Sequence, residues 1–156
     1  MNGYFEPTPK MLAAVELLEC GLQMYFENAF FAALHLAGAS GEVLGNYVNR
    51  HGGKSSFDEM RDLTIAIASI NGHAATKASI TSLIRYPMNR TKHLNEEGDD
   101  LLHFDPKVQA RAALERAVTD HYALQIRFKG LLESSLMRKF NQVSRAESMK
   151  SHDEAD

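Results

Sequence analysis

The chain has no tryptophan, one cysteine and four prolines among its 156 residues. A lone Cys20 excludes an internal disulfide, and its setting among Leu17, Leu18 and Leu22 suggests a small buried hydrophobe. With no disulfide framework and no basic-then-apolar leader in M-N-G-Y-F-E-P-T-P-K, a reducing cytoplasm is the expected location. No apolar run reaches membrane-spanning length, because residues 29–48 are interrupted by His35, Ser40, Glu42 and Asn46, so no membrane partner is expected. An excess of positive charge is missing too. Seventeen Lys and Arg stand against 20 Asp and Glu, for a net charge of −3 and a pI near 6.2. That is not the balance of a protein gripping nucleic acid along its phosphates, although a local basic patch remains compatible with it.

What is present suits a single helical domain. Hydrophobic residues make up 44% of the chain, and alanine and seven methionines favour helices over sheets. The stretch Ala29–His51 organises the rest. It is free of proline and places small residues at every fourth position: Ala29, Ala33, Ala37, Gly41 and Gly45. Positions four apart stack on one face of a helix, so these five make a flat ridge against which another backbone can come close. Phe30, Leu34, Leu44 and Val48 widen the apolar surface beside it.

In chain order, Thr8-Pro9 reads as a cap and first helical position, opening a helix over about Pro9–Phe26 with Met11, Val15, Leu18, Leu22 and Tyr25 inward. Glu27-Asn28 is a tight connection into the ridge helix. Gly52-Gly53-Lys54-Ser55-Ser56 is a stop followed by a cap. A third helix then carries Met60, Leu63, Ile67 and Ile70 on one face, expected to point inward, and ends at the Asn71-Gly72 turn. A fourth helical stretch covers about Ala74–Tyr86 with Ile80, Leu83 and Ile84 inward, until Pro87 ends it, kinks it or opens a fresh turn. Leu94–Pro106 is acidic and glycine-broken, hence an exposed loop. Asp105-Pro106 caps a last helix with Ala110, Leu114, Ala117/Val118, His121/Tyr122, Leu124 and Phe128 inward, continuing past Gly130 through Leu131, Leu132, Leu136 and Phe140. The whole is an all-α, up-and-down bundle of four to five helices over residues 1–142, with 143–156 a frayed tail.

Chemistry has few places to sit. Nucleophile and phosphate-loop motifs are absent. None of the glutamates has a histidine three residues later, so the Glu-x-x-His sets of carboxylate-bridged metal pairs are missing; no metal and no cofactor are expected. His35 reads as a core or interface histidine with one hydrogen bond. Asp120 is expected in solvent. The densest polar cluster is Arg85-Tyr86-Pro87-Met88-Asn89-Arg90-Thr91-Lys92-His93. If the part after Pro87 is helical, Asn89, Lys92 and His93 share a face. There His93 could move a proton while Asn89 and the cations orient a phosphate. Alternatively Asn89 and His93 tie down the helix end through backbone hydrogen bonds.

The run A-L-H-L-A-G-A-S-G-E-V-L-G, the M-N-R-T-K-H-L element, the acidic loop, F-D-P and A-V-T-D-H-Y-A-L together resemble a bacterial branch of the HEPN superfamily of helical bundles over roughly residues 9–130. The resemblance implies a homodimer. It also implies either a non-catalytic docking module for a protein encoded in the same operon, in a defence or toxin–antitoxin system, or a metal-independent ribonuclease acting on RNA. The superfamily's catalytic signature is an arginine, four to six residues, then a histidine. Here seven residues separate Arg85 from His93 and two separate Arg90 from it, so His93 and Asn89 carry over with either Arg90 or Arg85. A homodimer is expected on composition as well, since Phe30, Phe31, Leu131, Leu136 and Phe140 exceed what a four-helix core readily hides.

Overall fold

The computed structural model describes residues 8–93 and 100–153. The start of the chain and the first part of the acidic loop, residues 94–99, lie outside the described residues, as do 154–156. Six helices and no strand are found among the described residues: α1 (Lys10–Phe26), α2 (Phe30–Arg50), α3 (Ser56–Ile70), α4 (Lys77–Lys92), α5 (Pro106–Gln125) and α6 (Ser135–Asp153). The all-α class is as expected. The count exceeds the four to five expected because the last helical stretch stops at Gln125 and restarts at Ser135, rather than running on past Gly130.

Local chemistry explains most of the boundaries. α1 begins at Lys10 after Pro9, without a side-chain cap from Thr8. It ends with Asn28 in the left-handed region at φ 62°, the Ala29 and Asn28 N–H groups donating to Met24 and Tyr25 carbonyls. Ser55 caps α3, its hydroxyl accepting from the Asp58 N–H. Gly72, at φ 75°, closes α3 with the paired bonds His73 N–H to Ala68 and Gly72 N–H to Ser69. Thr76 and Ser79 cap α4 reciprocally, and Asp105 accepts from the Lys107 and Val108 N–H groups at the head of α5.

The core lies between α1, α2, α5 and α6. Leu18, Leu22, Leu44, Leu114, Leu124, Met137 and Phe140 are its largest fully buried apolar side chains. The ridge of α2 packs where it should for close approach. Ala33, Ala37 and Gly45 are buried, and the α5 face opposite is built of Ala110, Ala113 and Ala117. α6 packs on α1 and is pinned to α5 by side chains. Lys107 and Arg111 hold Glu147 at 2.9 and 2.7 Å, and this anchor lies within the stretch expected to fray. The Tyr122 hydroxyl donates to Glu133 at 2.5 Å and accepts from Asn141 at 2.6 Å; burial and the carboxylate push it up to about 12.

Four expectations about faces are overturned. α3 buries no residue: Leu63, Ile67 and Ile70 point outward, and Ile70 is 84% exposed. Leu83 of α4 is exposed as well, while Ile80 is buried. Cys20 is exposed, because Leu18, Gly21, Leu22 and Tyr25 define the inward face of α1 and residue 20 falls between turns of that stripe. Phe140 and Leu131 are buried, while Phe30 and Leu136 pack on the core. The surplus expected from those four is therefore used internally, leaving Phe31.

Candidate functional site

α3 and α4 form a hairpin that packs on α5 and α2 and reaches the main core through Met88 of α4. Between these four helices is a cavity of about 240 Å³. The ridge of α2 forms one wall, with Gly38, Gly41 and Gly45. Arg116 and Asp120 of α5 form another, and Asp58, Arg61 and Arg85 project from the hairpin.

Asp120 is the main correction to the sequence reading. It is 2% exposed rather than solvated. Its Oδ1 accepts from the Ser56 N–H and the Ser56 hydroxyl, both at 2.8 Å, joining α5 to the first residue of α3. An N-terminal helix N–H has no partner within its own helix, and the positive end of the helix dipole favours a carboxylate there. Burial pushes the Asp120 carboxyl above its ordinary range against these hydrogen bonds. A sequence signal existed. Asp120 stands three residues after Ala117 and seven after Ala113, on the same stripe that meets α2.

Around Asp120 the polar groups are closely tied. Asn49 accepts from the Ser55 N–H and donates to Asp58, while Arg61 pairs with Asp58 at 2.6 Å and Asp62 at 3.0 Å. Asp58 is held below the usual carboxylate range by Asn49, Ser55 and Arg61, against the opposing effect of burial. Arg116 differs. Its Nη1 donates to the Met60 sulfur at 3.8 Å, and burial holds the guanidinium below its ordinary value. Arg85 lies over the Phe57 ring, 5.5 Å from its centre.

The cluster over 85–93 is divided by the structure. α4 runs through Pro87 to Lys92, and His93 is the extended residue that follows. His93 therefore does not share a helical face with Asn89 and Lys92, though all three are exposed. Arg85 lines the hairpin cavity. Arg90, Thr91, Lys92 and His93 line a separate open depression with His35 and Phe31 of α2. Within it His35 shares a 2.5 Å hydrogen bond with the Thr91 hydroxyl, and burial together with Lys92 holds its imidazole below the usual value.

His121, the neighbour of Asp120, turns the other way. It is fully buried with neither ring nitrogen hydrogen-bonded, and burial lowers its basicity. Among the described residues no group of His, Cys, Asp and Glu is arranged to hold a metal ion, and no helix is long and apolar enough to cross a membrane. No protein-family model, curated protein or solved structure matches the chain.

Proposed function

We propose that this protein is a non-catalytic helical interaction module of HEPN-like type, working as a two-fold homodimer that docks a partner in a bacterial defence or toxin–antitoxin system. One observation carries the dimer: Leu63, Ile67 and Ile70 form an exposed apolar row on α3, a helix with no fully buried residue in its own subunit. With Leu83 and Tyr86 of α4 also exposed, the hairpin offers on the order of 500 Å² of apolar side-chain surface, against roughly 800 Å² per partner in a standard interface. A second copy is the favoured occupant. An uncharged row meets itself across a two-fold axis without like-charge repulsion, and closed pairs are the commonest assembly. Light scattering at micromolar concentration should give a mass near twice 17.4 kDa. Ile67→Glu should give a monomer of unchanged helicity. A monomeric parent refutes the dimer.

A ribonuclease reading is favoured by a different observation, the gathering of Arg90, Lys92, His93 and His35 around one depression. There His93 would move the proton, with Arg90 and Lys92 orienting the phosphate, and no metal would be required; Asn89 does not line this depression. Arg85, turned to the other cavity, has no part in it. The reading expects RNA cleavage in chelator that falls about 10²–10⁴-fold in His93→Ala. An inactive parent, tested on single-stranded and structured RNA, leaves the docking module alone.

A further inference from the structure

The hairpin cavity has a charge pattern that its structural role does not use up. Arg61 is taken by Asp58 and Asp62. The head of α3 is capped from within, since Asp120 takes the Ser56 N–H and Ser55 takes the Asp58 N–H. Two guanidinium groups remain on the lining, Arg85 and Arg116, in no salt bridge among the described residues, although the carboxylates of Glu42 and Asp120 share that lining. Arg116 is the stronger case. It is part-buried, its one hydrogen bond goes to a thioether sulfur, and the nearby Glu115 and Asp120 carboxylates act on it without a hydrogen bond, the Asp120 Oδ1 being taken by Ser56. A partly desolvated guanidinium has five donors in a rigid fork that fits carboxylate and phosphate oxygens, and leaving those donors unused is costly.

We propose that the cavity between α2, α3, α4 and α5 binds a small organic anion, its carboxylate or phosphate held by Arg116 and Arg85 and its body against Phe57 and the glycine wall of α2. A cavity of about 240 Å³ has room for about eight waters, which sets the ligand at the size of an amino acid or a small aryl phosphate. The wall beside Gly38 can yield, because the Met88 sulfur that fills the space there ends a flexible chain. This site is independent of the apolar face of α3 and of the depression around His93.

Phenyl phosphate, benzoate and the cation benzamidine are three planar probes of suitable size. In the full-length protein, each is titrated while the arginine Nε–H and backbone amide resonances are followed by NMR. At least one of the two anions should shift the Arg116 Nε–H and the Gly41 and Gly45 amides saturably. A tenfold preference between them tells phosphate from carboxylate. Arg116→Gln should weaken binding tenfold or more, and Arg85→Gln should weaken it by a smaller factor. Thr81→Phe fills the cavity from α4 with both arginines intact, and should weaken it comparably if Arg116→Gln fails to fold. The proposal is overturned if neither anion shifts these resonances at 10 mM, if benzamidine alone does so, or if binding survives Thr81→Phe.

Discussion

Gly41 and Gly45 stand one turn apart on α2, yet alanine should have opposite effects at the two positions. A Cβ at Gly41 would lie 3.6 Å from the Ala117 Cβ, an ordinary van der Waals contact. Nothing has to move, so Gly41→Ala should recover the helix propensity of about 0.5–1 kcal/mol that glycine forfeits. At Gly45 the new methyl would lie 3.0 Å from the Ser55 Cβ and 3.1 Å from Asp120 Oδ2. Ser55 cannot yield by rotating, since a Cβ moves only with its backbone, and that backbone is held by Asn49 and by the capped start of α3. Asp120 is restrained by its bonds to Ser56. Overpacking of this kind costs about 1–3 kcal/mol, and the propensity gain offsets part of it, so Gly45→Ala should lose about 0.5–2 kcal/mol. Urea unfolding followed by circular dichroism would measure both, with an unchanged m-value showing that the native fold is kept. A protein of this length shifts by about 2–4 °C per kcal/mol, so the two midpoints should move apart by several degrees in opposite directions. If Gly45→Ala is as stable as the parent, or if Gly41→Ala is the less stable variant, the close packing of α2 against α3 and α5 is wrong.

Asp120→Ala should cost about 1–3 kcal/mol by leaving the Ser56 N–H without an acceptor, while Asp120→Asn keeps an acceptor and should stay within about 1 kcal/mol of the parent at neutral pH. Because burial raises the folded-state pKa of Asp120 above 3.8, its contribution is fully present below 3.8 and lost as pH rises through the folded value; acid titration of the Asp120→Asn unfolding midpoint should lack that loss. His121 works the other way at higher pH. Its folded pKa lies below 6.5, so the unfolded chain takes up a proton first, and stability should fall as pH drops below 6.5 until the folded value is passed. Thermal midpoints of parent and His121→Leu between pH 8 and 5 would test this, with a parallel fall in both counting against it.

Much of the fold is written locally. The Asn28 turn, the Gly72 stop, Asp105-Pro106 at the head of α5 and the four-residue spacing of the α2 ridge follow from backbone preferences and the helical repeat. The site was far less legible. Charge normally avoids the core, which on sequence alone points Asp120 to solvent, yet its position continues the Ala113–Ala117 stripe and it is buried. Arg116 carried no signal on its own. The cluster over 85–93 looked like one unit in the sequence, but a helix turns neighbours outward in different directions, and Arg85 and His93 line different cavities.

By itself, then, the sequence determined most of the helix starts and which residues of each helix share a face, because these depend on interactions within a few residues; that α4 runs through Pro87 and that the last stretch breaks between Gln125 and Ser135 came only with the tertiary structure. Which face meets which neighbour was decided only by the tertiary structure. Met60, Leu63, Ile67 and Ile70 make α3 amphipathic whatever it packs against, but α5 meets it in its first turns, at Ser56 and Met60, and Leu63, Ile67 and Ile70 beyond them stay exposed. The apolar row is left outside and the polar groups enclose a cavity. A 3.6-residue period records that a helix has an apolar side; it carries no information about whether a fold or a second molecule will cover it.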